Sequence, residues 1–197
     1  MIQKFEFCNT DFEGAYLIKP FCATDIRGAF IKDYSKEVFE ANGLEHNLAE
    51  VFYTVSHKGV IRALHFQRVH EQAKLVRCIK GKVFDVIVDL RPESPTFKKW
   101  QGFYLSEENM NELYVPEHVA HGCAGCAHGY LVLEDSIVSY KCGEKFYGEY
   151  DDGIMYNDPD LGVEWPFDEI GGIENLIIAD KDKNLQTFKE YEDKYLK

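Results

Sequence analysis

The feature that most constrains this chain is a succession of short runs rich in β-branched and aromatic residues, broken by turn residues. VFYTVS (51–56), GVIRALHFQ (59–67), KLVRCIKGKVFDVIVDL (74–90), FKKWQGFYLS (97–106), NELYVP (111–116) and YLVLEDSIVSYKC (130–142) all read as strands. Several alternate with period two. In GVIRALHF, Val60, Arg62, Leu64 and Phe66 are expected on one face, and Ile61, Ala63, His65 and Gln67 on the other. Lys80-Gly81-Lys82 reads as a tight hairpin turn between two such strands. Helices are few: one over 35–42, with Ser35 as N-cap and Gly43 as stop, and a charged tail from about Lys183 onward. Many short strands in 197 residues predict a mostly β double-sheet roll or barrel with a few short peripheral helices, one domain over 1–197.

Charge narrows the function. A formal net charge of −12 argues against a general nucleic-acid binder, which needs an electropositive face to displace counterions. It leaves room for a small anionic ligand, because two or three converging Arg or Lys side chains outweigh a distant negative field at short range. No run approaches the roughly 20 apolar residues that span a bilayer, so no membrane partner is expected. The opening MIQKFEFCNTDFEG lacks a basic segment followed by an apolar run, which points to the cytoplasm. There the six cysteines (8, 22, 78, 123, 126 and 142) are expected as free thiols.

Two clusters invite a metal. His121-Gly-Cys123-Ala-Gly-Cys126-Ala-His128 has a Cys-x-x-Cys pair flanked by histidines, but a structural zinc site usually draws its second ligand pair from a distant segment. Small thiols packed in a β core are the plainer reading. The second cluster runs from Gly59 through His65, Gln67 and Glu71 to Pro116-x-His118-x-x-His121. This spacing resembles the two cupin motifs, whose histidines and glutamate converge on a metal inside a jelly-roll barrel. Gln67 stands where the second ligand of a His-x-His pair belongs, and an amide is a poor ligand for a divalent transition metal. A three-ligand site of His65, Glu71 and His121 stays open as an alternative.

A proton-transfer reading uses more of the residues. Epimerisation beside a ketone needs a base for the carbon acid, a cation or donor for the enolate oxygen, and an acid on the opposite face. His65 is a candidate base, Lys74 a candidate enolate cation and Tyr140 a candidate acid. Arg27 and Arg62 can grip a diphosphate through paired hydrogen bonds.

The motifs sharpen this. DIRGAF (25–30), S-x-x-GVIRALHFQ (56–67), KLV (74–76), FDVIVDLRP-x-SPTF (84–97), LYVP-x-x-VAHG (113–122), YKC (140–142), NDPDLGVEWP (157–166) and ADKD (179–182) run over nearly the whole chain. In these the chain resembles the dTDP-4-dehydrorhamnose 3,5-epimerases. The resemblance implies a cupin-fold, double-stranded β-helix jelly roll, a homodimer, a dTDP-linked sugar substrate of rhamnose-type biosynthesis, and no metal or other cofactor. It implies His65 as base held by Asp182, Lys74 as enolate cation and Tyr140 as acid. It implies substrate contacts at Arg27, Arg62, Glu50, Phe52, His121, Phe146, Asp151 and Lys181.

The chain also departs from the family pattern. Ala63 replaces a common Gly, Glu50-Val51-Phe52 replaces a Gln-x-Asn segment, Lys32 an acidic residue and Cys123 a common Phe. A second active-site tyrosine is Phe146, with Tyr147 adjacent. These changes leave open a C3-only or C5-only epimerase on another nucleotide-linked 4-keto sugar. A non-catalytic sugar-nucleotide binder has no need of an acid and a base on opposite sides.

Overall fold

The computed structural model describes residues 4–117 and 125–196. Its strands are β1 (Glu6–Asn9), β2 (Tyr16–Lys19), β3 (Phe21–Asp25), β4 (Gly28–Lys32), β5 (Glu50–Ser56), β6 (Val60–Gln67) and β7 (Lys74–Lys80). They continue with β8 (Lys82–Asp89), β9 (Trp100–Ser106), β10 (Glu112–Val115), β11 (Cys126–Val132), β12 (Ser136–Cys142), β13 (Asp151–Gly153) and β14 (Ile177–Ile178). Three short helices accompany them: α1 (Lys36–Ala41), α2 (Asp180–Lys183) and α3 (Phe188–Tyr195).

The strands form two facing sheets. One has the order β1-β2-β10-β7-β12-β5, the other β13-β6-β11-β8-β9 with β14 added parallel to β6. A separate β3–β4 ribbon belongs to neither. This is the double-sheet roll expected from the strand pattern. Among the described residues the sheets keep open edges, at β1 and β5 in one and β13 and β9 in the other, so the roll is a sandwich.

The Lys80-Gly81-Lys82 turn is not a hairpin. β7 and β8 belong to different sheets, so the chain crosses the sandwich at Gly81. Gly81 has φ +75°, and a Cβ there would lie 2.3 Å from the Asp135 carbonyl oxygen of the neighbouring β11–β12 corner. Two sheet-changing corners packed against each other require the glycine, and sequence alone cannot separate this use from a hairpin.

Strands of the second sheet are buried on both faces. On β8, Val83 and Ile87 point into the space between the sheets, while Phe84, Val86 and Val88 join an outer core with Trp165, Phe188 and Tyr191. A third core lies outside the first sheet, where Ile18, Leu75 and Tyr114 meet Phe39 of α1.

Two of the specific motifs prove to be structural knots. Asp89, fully buried, accepts hydrogen bonds from Arg91, Ser94 and Thr96, which closes the DLRP-x-SPT turn. Asp158 accepts from the backbone N–H groups of Asp160, Leu161 and Phe188, which ties the NDPDLG turn to α3.

Helix α1 matches the segment expected over 35–42. The charged tail begins its main helix later than Lys183. Thr187 caps α3 in a capping box with Glu190, and a separate turn, α2, precedes it.

Candidate active site

A cavity of about 570 Å³ opens between the sheets at one end, walled by β5, β6, β7, β11 and β12 and by the chain from 177 to 182. His65 stands on β6, with Asp182 brought to it by the C-terminal segment. β14 pairs with β6 through Ile177↔Val60 and Ile178↔Ile61, and α2 then carries Asp182 over the imidazole. His65 Nε2 lies 3.0 Å from Asp182 Oδ2. The side chains are 23% and 7% exposed, so the carboxylate is buried while the ring keeps one side open to the cavity.

Arg62 lines the same cavity as His65, against the strict alternation expected for this strand. The cause is a β-bulge. His65 pairs with His128 and Arg62 with Tyr130, so β6 spends one residue more than β11 between the two pairs. Ala63 and Leu64, consecutive in the chain, both turn into the outer core. Three residues on, the strand has regained the inner face.

The opposite wall belongs to the first sheet. Lys74 of β7, Tyr140 of β12, and Phe52 and Thr54 of β5 face the dyad. Phe52 stacks on Tyr140 with ring centroids 4.9 Å apart and planes 14° from parallel. Burial pushes the Tyr140 phenol well above its ordinary value, and Tyr130 and Asp85 add to the shift, so Tyr140 holds its proton at neutral pH. Burial lowers the Lys74 ammonium, with Cys142, Asp151 and Asp85 pulling the other way. Among the described residues Lys74 makes no hydrogen bond or ion pair, which leaves its charge free for a ligand.

Other expected site residues divide. Asp151 and Lys181 line the cavity and pair with each other at its edge. Phe146 also lines it and is more than half exposed. Glu50 does not line it; its carboxylate accepts the Phe146 backbone N–H at 3.0 Å and fixes that loop. Arg27 lies elsewhere, on the exposed β3–β4 ribbon beside its own groove, with its guanidinium bound to Asp25. Tyr147 is turned out of the cavity and stacks on His70, centroids 4.7 Å apart.

His121, His118 and Cys123 lie outside the described residues. The sequence offers a second choice, however: Ala-His-Gly occurs at 120–122 and again at 127–129. The second copy is on the wall. His128, passed over as part of the Cys-x-x-Cys cluster, faces the cavity from β11 and binds Asp85 through Nε2 at 2.9 and 3.0 Å. Asp85 is fully buried, and burial raises its carboxyl while His128 and Lys74 lower it. The repeated tripeptide was the signal available for finding His128.

Of the three residues of the metal-binding alternative, His65 and Glu71 are described and each has a partner of its own, while His121 lies outside the described residues. Gln67 spends its amide on backbone: Nε2 donates to the His70 and Lys145 carbonyls, and Oε1 accepts from Tyr147 N–H at 2.7 Å. The Glu71 carboxylate accepts from Gly125 N–H at 3.1 Å. Burial pushes the Cys126 thiol up to about 12, which suits a packed thiol and opposes a thiolate ligand. The five described cysteines are free, as expected. Among the described residues no three His, Cys, Asp or Glu side chains converge on a common point. No helix of the described residues is long and apolar enough to cross a membrane.

Known proteins share this fold. The family model for dTDP-4-dehydrorhamnose 3,5-epimerase matches residues 9–190. A dTDP-4-dehydrorhamnose 3,5-epimerase from Methanothermobacter thermautotrophicus is 44% identical over 188 residues, covering 95% of this chain and 96% of the relative. The crystal structure of a Legionella pneumophila dTDP-6-deoxy-D-glucose-3,5-epimerase in complex with dTDP-4-keto-L-rhamnose is similar with a TM-score of 0.85 and 32% identity, over 94% of each chain. A 3′-monoepimerase from Streptomyces bikiniensis in complex with dTDP-quinovose is similar with a TM-score of 0.81 and 30% identity, over 93% of this chain and 88% of that one. Family model, sequence identity and fold agree: the chain belongs to the dTDP-4-dehydrorhamnose 3,5-epimerase family.

Proposed function

We propose that this protein inverts C3 and C5 of a dTDP-linked 4-keto-6-deoxyhexose by proton transfer through an enolate. The observation that carries this is the His65–Asp182 pair on one sheet facing Tyr140 on the other across one cavity. The C4 ketone acidifies the C–H bonds on both sides of it, so the sugar itself supplies the electron sink and no redox cofactor is needed. With Nε2–H donating a hydrogen bond to Asp182, His65 presents a lone pair at Nδ1 to the substrate carbon. The C–H electron pair moves onto the C4 oxygen, where the unpaired Lys74 ammonium meets it. Tyr140, still protonated, returns a proton from the opposite face. His128, held by Asp85, lines the cavity beside His65 on the second sheet.

Nucleotide binding follows from what surrounds the dyad. Arg62 and Lys181 put positive charge on the cavity wall, and the exposed Phe146 ring offers a flat surface for a base. Arg27 lies too far out to serve its own cavity. Val51, Tyr53 and Val55 form an exposed apolar row on the edge strand β5, and the exposed β3–β4 ribbon carries Phe30 and Ile26. This surface suits a homodimer in which one copy's ribbon delivers Arg27 toward its partner.

The deciding experiment is incubation with dTDP-4-keto-6-deoxyglucose in deuterium oxide, followed by product NMR. Deuterium at both C3 and C5 with double inversion is expected. The missing hydroxyl at Phe146, with Tyr147 turned away, favours a second reading as a monoepimerase, and exchange at one carbon only would establish it. Absence of exchange at either carbon would reject both. Asp182→Asn should lower kcat by roughly 10²–10⁴-fold with KM little changed.

A further inference from the structure

Residues 144–147 lie between β12 and β13 in no helix or strand, so their backbone polar groups need partners from elsewhere. Three side chains supply them. Gln72 Nε2 donates to the Glu144 carbonyl at 2.8 Å. Gln67 Nε2 donates to the Lys145 carbonyl at 3.1 Å, and Gln67 Oε1 accepts the Tyr147 N–H at 2.7 Å. Glu50 Oε2 accepts the Phe146 N–H, between those two, at 3.0 Å. Glu50 starts β5 in the first sheet and Gln67 ends β6 in the second, so both sheets grip one short stretch. Gln67 is 5% exposed and gives its other amide hydrogen to the His70 carbonyl, which roots the grip in the interior. The Phe146 ring on this fixed backbone is nevertheless 55% exposed and lines the cavity.

We propose that Glu50 and Gln67 are positioning residues for the nucleotide, struts that set the Phe146 ring at the cavity mouth before the base arrives. The inference rests on Phe146 offering its face to a base, as proposed above. A ring on a loose loop must be ordered as the ligand binds, and that entropy is lost from affinity. A ring on a backbone already held avoids the cost. The charge of Glu50 suits this task. An ionised acceptor holds a backbone N–H more firmly than a neutral one, whereas a carboxylate inside the cavity would repel a diphosphate. Glu50 keeps its charge outside the cavity wall and on the loop backbone. Both struts act through Phe146, so their loss should fall on binding more than on turnover.

The test is dTDP affinity by titration calorimetry, with steady-state kinetics on dTDP-4-keto-6-deoxyglucose alongside. Wild type is compared with Glu50→Ala, Glu50→Gln, Gln67→Glu, Phe146→Ala and the double variant Glu50→Ala/Phe146→Ala. Glu50→Ala should weaken dTDP binding about tenfold, the loss of one hydrogen bond to a charged group, and raise KM by more than it lowers kcat. Glu50→Gln keeps an acceptor oxygen and should return to within about threefold of wild type. Gln67→Glu keeps the acceptor for Tyr147 but loses both donors, and should bind dTDP about as weakly as Glu50→Ala. The double variant should bind no more weakly than Phe146→Ala, because a strut without its ring has nothing to set. A purely structural tie would lower Tm without changing dTDP affinity. That result in Glu50→Ala or Gln67→Glu, failed rescue by Gln, or additive losses in the double variant would overturn the proposal. Phe146→Ala separates the two ideas. Weaker binding in that variant with Glu50→Ala unaffected rejects the struts alone, whereas unchanged binding in Phe146→Ala rejects the base contact and the struts with it.

Discussion

Phe52 and Tyr140 are cross-strand partners on β5 and β12, and their rings lie nearly parallel, 4.9 Å apart. The Tyr140 phenol is thus held by an apolar plate. The stack fixes the ring plane at little entropic cost, since both side chains have only two rotatable bonds.

Removing the plate should therefore act on turnover more than on binding. Phe52→Leu is expected to lower kcat about tenfold by loosening Tyr140, with a smaller change in KM and less than about 1.5 kcal/mol in stability. Kinetics beside urea unfolding will separate the two effects.

Lys74 should trade stability for activity. Burial lowers its pKa, so the unfolded chain holds this proton more tightly than the folded one. Stability at this position is therefore reduced at neutral pH and recovers as pH rises toward the unfolded value. Lys74→Met is expected to abolish turnover yet raise Tm by roughly 2–4 °C at pH 7, the shift that about 1 kcal/mol makes in a domain of this size. Differential scanning calorimetry on the inactive variant provides the check.

Phe146 and Tyr147 should behave oppositely despite being adjacent. Phe146 faces the cavity, so Phe146→Ala is expected to raise KM about tenfold with kcat less affected. Tyr147 packs on His70 outside it, so Tyr147→Phe should leave both constants within about twofold. A large kcat loss in Tyr147→Phe would mean that its hydroxyl enters the cavity during turnover.

Asp89 should govern acid stability. Burial alone would raise its pKa, but the hydrogen bonds from Arg91, Ser94 and Thr96 outweigh that and hold it below the usual carboxylate range. Its contribution is present above the unfolded value and is lost as pH falls through the folded one. Asp89→Asn is expected to cost roughly 2–4 kcal/mol at pH 7, with the gap to wild type closing below about pH 4 in urea titrations.

Much of this was legible in the sequence because burial leaves a periodic trace. The runs that hold β5 to β12 alternate or are continuously apolar, and His65, Lys74, Tyr140 and Asp182 do meet in one cavity. What was hidden lacks such a trace. β3 and β4 form an exposed ribbon, so no face of theirs alternates with burial. The bulge that brings Arg62 beside His65 depends on pairing with β11, and no property of residues 60–67 announces it. The crossing at Gly81 uses the residue a hairpin would use. His128 was obscured by a nearby copy of its own tripeptide.

The route by which Asp182 reaches His65 has a consequence for how the enzyme comes into being. The two residues are 117 positions apart, and the carboxylate sits on α2, just after a two-residue strand that pairs with β6. Closing so long a loop is entropically unfavourable until the sheets that receive it exist. The contact between imidazole and carboxylate is therefore expected to form late in folding, once β6 is in place to receive β14.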